Sequence, residues 1–403
     1  MSQESTSVKK GEVRSPALSR WLAGLTPLVL LGILIAIFFV TDPLGFIEAG
    51  FPPIEELTIE RITLRPGEMI VHVVNGGPEP VTVAQVLVDE AYWSHSIEPG
   101  RTLSRLGRAT ITIPYPWVEG EPHEVTLLTS TGVTFTGAIE VAVETPRPDA
   151  RLFGVFTLLG VYVGVIPVLL GLLWYPFLRE IGRRWLYFFL SLTVGLLLFL
   201  GIDTTMEAFE TAGTLPSVFQ GVGLIGLGAV GTILGLTALG RFFGGAEREG
   251  RLGHLWIAYL VAIGIGLHNL GEGLAIGTAY ALGEIALGAF LILGFTLHNT
   301  TEGLAIVAPI ARDRPGLKHL AWLGLIAGGP TIFGAWIGGF SYSPLLGTLF
   351  LAVGAGAIFQ VIYEIIVQMR QEPEGALSHP VNVAGLLTGL VIMYFTGLLA
   401  LAS

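Results

Sequence analysis

Two ten-residue segments carry the side chains of this sequence that are best suited to chemistry. They read LHNLGEGLAI from residue 267 and LHNTTEGLAI from residue 297, and eight of the ten positions are identical. Each copy has a histidine, then an asparagine, then a glutamate four residues after the histidine. Because residues i and i+4 lie on one face of a helix, each copy points an imidazole and a carboxylate in the same direction. Such mixed nitrogen and oxygen donors suit Zn, Fe, Mn or Co, whereas Mg and Ca prefer oxygen alone.

The six side chains of the two copies are the candidate metal ligands, namely His268, Asn269, Glu272, His298, Asn299 and Glu302. Both copies lie within long apolar runs, where an ionisable group costs about 2.5–3.5 kcal/mol on insertion scales and is therefore usually functional. Two antiparallel helices that face each other with these residues would enclose one or two divalent ions. Polar packing between helices is the alternative, but it explains one buried histidine better than two complete copies of the pattern.

The composition indicates that the helices carrying these residues lie in a membrane. Of the 403 residues, 52% are hydrophobic and 13% are charged, against about 25% charged residues in soluble domains. This composition, with a mean hydropathy of +0.71, excludes an ordinary soluble enzyme and a disordered chain. The formal net charge of −10 and the lack of an extended basic patch exclude a nucleic-acid-binding protein. The absence of cysteine excludes disulfides, iron–sulfur clusters and thiolate metal sites.

Nine apolar runs reach the length of about 20 residues that a membrane-spanning helix needs. The first, 21–41, is predicted to be an uncleaved anchor, because it is long and lacks the small-residue cleavage site of a signal peptide. The other eight follow a polar segment and cover residues 153–175, 185–210, 217–240, 253–281, 285–311, 318–340, 344–369 and 380–402. The predicted fold is therefore an α-helical polytopic membrane protein, with one N-terminal transmembrane helix, an extracytoplasmic β-sandwich domain and an eight-helix bundle.

The Lys and Arg residues predict how the chain is oriented in the membrane. Fourteen of the 21 basic residues fall in the N-terminal tail or in alternate loops, which places those segments in the cytoplasm. The other seven lie in the large segment after the first run, to which the rule does not apply. Residues 1–20 are thus predicted to be a cytoplasmic tail of a multi-pass cell-membrane protein. Residues 44–150 and the C-terminus are predicted to lie outside.

The segment 44–150 shows the alternating hydrophobic pattern of short, half-buried strands. The clearest runs cover residues 59–64, 69–74, 81–88, 109–113, 125–129 and 138–143. About seven strands predict an immunoglobulin-like or cupredoxin-like sandwich, without a blue-copper site because cysteine is absent. His72, His95 and His123 could hand metal to the membrane region, but three unrelated surface histidines are the favoured interpretation. The sequence does not identify a partner for this domain.

The duplicated motif resembles that of the ZIP divalent-metal transporters, in the branch whose fourth and fifth helices carry His-Asn-x-Pro-Glu-Gly. The resemblance covers residues 150–403, which match the family topology of eight spans with both ends outside. It implies that the three residues of each copy are metal ligands, the first copy on the fourth family helix and the second on the fifth. It also implies a further carboxylate late in the seventh helix, for which Glu364 is the candidate.

The sequence departs from the family pattern at several positions. Gly271 and Thr301 replace the prolines before each glutamate, and Gly271 would still permit a helix break. Asn299 stands where many members have aspartate, and the sixth span, 318–340, contains no acidic residue. With Glu272 and Glu302 as the central carboxylates, one bound ion is expected rather than two, because two would leave unbalanced charge in an apolar medium.

Two acidic residues, Asp203 and Glu207, share a helical face near the outer end of the second family span and are candidate pathway ligands. The resemblance implies a transporter that imports a divalent transition metal into the cytoplasm, with zinc as the first candidate and Fe, Mn, Cd or Co still open. An intramembrane metal-dependent hydrolase and a metal sensor that signals through the β-domain are the alternatives. The lipid bilayer and metal ions are the predicted partners, and a homodimer stays open.

Overall fold

The structure is a computed structural model, and it describes residues 17–41, 54–147, 149–244, 251–282, 285–341, 343–371 and 373–401. The chain forms two compact units, residues 1–53 and 54–403. The first unit contains helix α1 (Ala17–Thr41), which starts four residues before the predicted span 21–41. Its 25 residues extend about 37 Å at 1.5 Å per residue, and residues 25–38 form an apolar stretch. The β-domain and the helical region both lie in the second unit.

The β-domain begins the second unit and consists of two sheets around one apolar core. Its strands are β1 (Leu57–Arg65), β2 (Glu68–Asn75), β3 (Val81–Val88), β4 (Ala91–Tyr92), β5 (Ser96–Glu98), β6 (Thr102–Leu103), β7 (Arg108–Ile113), β8 (His123–Thr129) and β9 (Thr134–Ile139). One sheet has the order β1-β2-β7-β5 and the other β4-β3-β8-β9, with β6 beside β3. Alternate residues such as Val71, Ile111 and Leu127 are fully buried between the sheets, which explains the period of two in the sequence.

The predicted strand at 138–143 is displaced from the observed β9. Residues Leu128 and Thr134 pair across a short hairpin, whose turn contains Gly132 with a φ of +92°. Because this turn is short, β9 starts at Thr134 and ends at Ile139. The hydrophobic residues that continue to Val143 therefore lie beyond the strand.

The helical region follows the β-domain and contains α2 (Ala150–Gly160), α3 (Ile166–Leu172), α4 (Tyr175–Glu180), α5 (Arg183–Gly213), α6 (Gly221–Leu239), α7 (Arg251–Leu282), α8 (Ile285–Val307), α9 (Leu317–Gly328), α10 (Pro330–Phe340), α11 (Pro344–Met369) and α12 (Pro380–Leu401). Within the described residues, seven helical segments are long and apolar enough to cross a membrane. They are Ala150–Glu180, Arg183–Gly213, Ser217–Phe242, Leu252–Ala281, Leu317–Phe340, Pro344–Met369 and Pro373–Phe395. The chain is thus a multi-pass helical membrane protein that carries a β-sheet region before these helices.

Helix α8 lies between the fourth and fifth of these segments along the chain, and its 23 residues extend about 34 Å. The predicted run 285–311 continues four residues beyond its observed end. Pro309 accounts for the difference, because proline disfavours helical conformation in the residue before it and lacks the N–H that the helix would use.

Two of the membrane segments are broken at their middle. Between α2 and α3, residues Val161–Val165 form a π-helical turn just before Pro167. The segment 317–340 breaks between α9 and α10 at Gly329, and Pro330 is the first residue of α10. The two breaks touch, since a Cβ placed on Gly164 would lie 2.4 Å from the carbonyl oxygen of Gly328. By contrast, α7 continues through Gly271 and α8 through Thr301, so the helix break that Gly271 would permit does not occur.

The helices pack as two groups. The site bundle comprises α2, α3 and α7 to α10, and the support bundle comprises α5, α6, α11 and α12. Inside each bundle, glycines bring backbones together: a Cβ on Gly273 would lie 2.1 Å from Thr331 O, and one on Gly195 would lie 2.2 Å from Leu386 O. Between the bundles α7 packs extensively on α11, where Gly264 faces the side chain of Val361, and α8 also contacts α5 and α12. The closest approaches between helix backbones therefore occur within the bundles.

Candidate metal centre

The two motif copies lie on α7 and α8, which are neighbours in the site bundle. Close glycine contacts fix both helices. Gly273 on α7 lies against the backbone of α10, and Gly303 on α8 lies against Gly171 of α3, with a Cβ on Gly303 falling 2.6 Å from the Gly171 Cα. These contacts leave no room for any larger residue, so each helix is held at a fixed rotation about its axis.

Three side chains of the two copies converge on one point. One ligand atom from each of His268, Glu272 and His298 lies within 4.8 Å of the other two, which is the only such group of three or more among the described residues. Nε2 of His268 lies 3.1 Å from Oε1 of Glu272, and Nε2 of His298 contacts the same oxygen. Two imidazoles therefore share one carboxylate oxygen.

The asparagines link the copies in a crossed arrangement. Asn299 donates a hydrogen bond from Nδ2 to Oε2 of Glu272 at 2.8 Å, and Asn269 donates to Oε2 of Glu302 at 3.0 Å. The same amide of Asn299 also donates to the carbonyl of Val163 at 3.0 Å, and that of Asn269 to the carbonyl of Ala327 at 3.1 Å.

Both of these carbonyls belong to the broken segments. Val163 lies in the π-helical turn, and Ala327 lies two residues before Gly329. An unbroken helix would use its internal carbonyls for i to i+4 hydrogen bonds. The helix breaks thus let main-chain oxygens help to position the asparagines. Both breaks have a signal in the sequence, the glycine and proline residues near 164–167 and 328–330, but nothing in the sequence indicates that the breaks meet the motif.

All six motif residues are buried, with at most 8% of any of them exposed. In the part of the chain that the structure describes, three of their oxygens have no hydrogen-bond donor, namely Oδ1 of Asn269, Oδ1 of Asn299 and Oε1 of Glu302. Leaving a buried acceptor unpaired costs about 1–3 kcal/mol. No donor among the described residues reaches these oxygens, and a bound cation would satisfy them.

The space beside the motif is small and apolar. A cavity of about 10 Å³ lies against His298 and Glu302 and is also lined by Leu197, Leu200 and Met393. This volume is at the lower limit for a single water molecule. The N-terminal half of α7 and the C-terminal end of α8 pack in the largest apolar cluster that the structure describes in the helical region. The motif is therefore enclosed rather than open to solvent.

A residue of the support bundle completes the surroundings of the motif. Oγ1 of Thr204, which is 3% exposed on α5, lies 3.3 Å from Nδ1 of His268. A hydrogen bond at one imidazole nitrogen fixes the ring and leaves the other nitrogen to face a metal. Thr204 was not among the residues predicted from the sequence, although its position between Asp203 and Glu207 was a usable signal.

The remaining predicted ligands lie outside this group. Asp203 and Glu207 flank Thr204 on α5, the first exposed and the second half-buried. Gln360 donates to Oε1 of Glu364 at 2.9 Å on α11. Glu364 is ten residues beyond Gly354, which packs on the backbone of His268, so it lies about 15 Å along α11 from the level of the motif.

The three histidines of the β-domain have separate partners. His72 lies beside Arg61 and Thr110, and burial together with the charge of Arg61 lowers its pKa. His95 contacts the carbonyl of Trp93, and Nδ1 of His123 lies 2.8 Å from Oδ2 of Asp89. Within the described residues they do not form a cluster with metal-binding spacing.

The motif therefore offers a mixed donor set on two tightly held helices. Two imidazole nitrogens and one carboxylate converge, and uncharged amide oxygens and a second carboxylate surround them. Such donors suit a divalent transition metal, whose binding would displace protons from the imidazole and carboxylate groups. In comparisons with known proteins, no family model matches the chain and no curated protein shows significant similarity to it.

Proposed function

We propose that the protein is a ZIP-like transporter that imports a divalent transition metal into the cytoplasm, with zinc as the first candidate. The observation that carries this proposal is the convergence of the buried side chains of His268, Glu272 and His298 on the neighbouring helices α7 and α8. Ionisable groups at such depth are expensive and typically belong to ion pathways. The duplicated motif and the eight apolar runs of residues 150–403 support the family resemblance.

The donor set suits transport better than permanent storage. A transported ion has to bind selectively and then leave, so weak amide ligands are more useful than a closed cage of four thiolates. His268 and His298 bind metal only when their Nε2 atoms are unprotonated. Proton uptake by these groups would weaken binding, which gives the transporter a means of releasing its ion.

The two bundles supply the parts that alternating access requires. The candidate ligands of the motif belong to the site bundle, whereas Thr204, Asp203, Glu207 and Glu364 belong to the support bundle. Asp203 and Glu207 would attract the ion on the outer side of the centre, and Glu364 would receive it on the inner side. Movement of one bundle against the other would then carry the ion between them.

The orientation in this proposal follows from the positive charges. Fourteen of the 21 basic residues lie in the N-terminal tail and alternate loops, which are assigned to the cytoplasm. The nine apolar runs then place the β-domain and the C-terminus outside. The ion would pass from the side of the β-domain to the side of the His254–Asp313 contact, whose nitrogen and oxygen are 3.1 Å apart.

A metal-dependent hydrolase uses similar ligands, but its metal centre has to meet two further requirements. It requires an open metal position for water and a group that takes the proton. The enclosed cavity of about 10 Å³ beside the motif leaves little room for a substrate. A sensor would need a route from the motif to the β-domain, and binding without transport would distinguish it.

Metal uptake into proteoliposomes tests the proposal. Purified protein is reconstituted, zinc is added outside, and internal zinc is measured with a fluorescent indicator. We expect uptake by the unmodified protein and its loss in His268→Ala at matched protein content. His319→Ala is the matched control, because His319 is a histidine on α9 that contacts Tyr259 and not the motif. Absence of uptake by the unmodified protein, or full uptake by His268→Ala, would contradict the proposal.

A further inference from the structure

The β-domain makes a specific contact with the connection between α5 and α6. The carboxylate of Glu56 accepts a hydrogen bond from the backbone N–H of Ser217 at 2.6 Å and another from its hydroxyl at 2.5 Å. Ser217 begins the short 3₁₀ turn that precedes α6. A carboxylate with two donors at these distances forms a strong, directional contact.

Two consecutive glutamates, Glu55 and Glu56, bind to different parts of the protein. Oε2 of Glu55 accepts hydrogen bonds from the hydroxyls of Thr129 and Thr131 at 2.6 and 2.7 Å, inside the β-domain. Glu56, the next residue, turns its carboxylate to Ser217 of the helical region. Residues 54–57, here called the strap, are therefore attached to the β-domain by one side chain and to the membrane region by the next.

The β-domain surface under the strap is shaped for close approach. The carbonyl of Glu56 accepts a hydrogen bond from the N–H of Gly76 at 2.8 Å. A Cβ on Gly76 would lie 2.6 Å from the Cβ of Pro216, so this position requires glycine. The neighbouring Asn75 is fully buried, and its Nδ2 donates to the carbonyls of Glu79 and Leu103. Gly76 permits the close approach of Pro216, and the hydrogen bonds of Asn75 hold the neighbouring backbone in place. This part of the β-domain therefore forms a specific contact surface.

The contact connects the β-domain with both helix bundles. The Pro216–Ser217 connection joins α5 and α6 of the support bundle, and α5 carries Thr204 beside the motif. Strand β1, which continues the strap, also approaches α7 of the site bundle. The β-domain thus touches the helices that hold His268 and those that pack against it.

We propose that the β-domain is a clamp, attached through Glu56 and Ser217, that restrains movement between the site bundle and the support bundle. Its effect on metal flux rests on the proposed function, but the restraint itself does not. With the clamp fixed, the bundles keep one arrangement. When Glu56 leaves Ser217, the bundles are free to move.

The absence of cysteine from the chain makes a direct test possible. The double variant Glu56→Cys with Ser217→Cys is treated, in the full-length protein, with a short bis-methanethiosulfonate reagent that joins the two thiols. The matched control is Glu55→Cys with Thr131→Cys, which joins the strap to its own domain only. Mass spectrometry detects the linked peptides, hydrogen exchange reports movement of α7, and proteoliposomes report zinc uptake.

We expect a linked peptide in both double variants. Only the Glu56–Ser217 link should slow exchange in α7 and reduce uptake, by at least about tenfold, and a reductant should restore both. Failure of the Glu56–Ser217 pair to link while the control pair links would overturn the contact. Efficient linking with unchanged exchange in α7 would overturn the clamp. If the unmodified protein moves no zinc, the proposed function fails, and the exchange measurement still decides on the clamp.

Discussion

The two copies of the His-Asn-x-x-Glu motif have nearly the same sequence but different surroundings. Glu272 meets the imidazoles of both histidines and the amide of Asn299. Among the described residues, Glu302 meets only the amide of Asn269 and keeps one oxygen without a donor. The crossed asparagine contacts are alike in both copies, so the difference arises at the histidines. Sequence repetition therefore placed equivalent groups near each other without giving them equivalent contacts, and Glu272 is the carboxylate on which both histidines converge.

The largest effect is expected from changing the central carboxylate. Glu272→Gln keeps the size of the side chain but removes the charge that both imidazoles face, so we expect zinc affinity to fall by about 100-fold or more. Glu302→Gln, the equivalent change in the other copy, should cost about tenfold, in the range of groups around a metal site. Titration calorimetry on the purified variants measures both, and equal losses would show that the copies are equivalent.

Replacing the amide of Asn299 with a carboxylate adds negative charge to the motif, whereas the two Glu→Gln changes remove it. Asn299→Asp removes the donor to Glu272 and places a second negative charge beside it. We expect lower thermal stability without metal, because the two carboxylates repel each other. Zinc should bind more tightly or with a second ion, since the added charge balances it. Thermal melts with and without zinc measure both effects. If Asn299→Asp has the melting temperature of the unmodified protein in both conditions, the predicted repulsion and the predicted gain in zinc binding are both wrong.

A smaller effect is expected at the threonine behind His268. Thr204→Val keeps the shape of the side chain but removes the hydroxyl that lies 3.3 Å from Nδ1 of His268. Loss of such a supporting contact typically weakens metal affinity by about 10- to 100-fold, and the long distance places this one at the lower end. Thr193→Val, another buried threonine of α5, is the control. Equal affinity of both variants would exclude Thr204 from the centre.

The smallest effect on the metal centre is expected from removal of the β-domain. A protein that lacks residues 1–150 and carries another export signal should still transport zinc, because all six motif residues lie in the helical region. Its zinc affinity should stay within about threefold, and Glu272→Gln and Glu302→Gln should still differ. A correctly inserted truncated protein that binds zinc but moves none would show that the domain is required for transport, which would also contradict its role as a restraint.

Much of this architecture was predictable from hydropathy and spacing. Apolar runs located the described helices to within a few residues, since a buried or lipid-facing helix needs a continuous apolar length. The i, i+4 spacing placed His268 and Glu272 on one face. The β9 strand was misplaced because alternation does not reveal where a short turn ends, and the end of α8 depended on Pro309 alone.

The sequence could not reveal the contacts that distinguish the two copies. The carbonyls of Val163 and Ala327 carry no side-chain signal, and their exposure to the asparagines depends on two helix breaks that meet in space. The role of Thr204 depends on how α5 packs against α7. Such long-range packing is set by the whole bundle rather than by a local pattern.

The number and position of bound ions test the account most directly. The purified protein is loaded with zinc, its zinc content is measured by elemental analysis, and the ion is located by anomalous diffraction. We predict one ion per chain, about 2.0–2.2 Å from Nε2 of His268, Nε2 of His298 and an oxygen of Glu272. Two fully occupied ions between α7 and α8, or an ion that does not contact Glu272, would contradict the account.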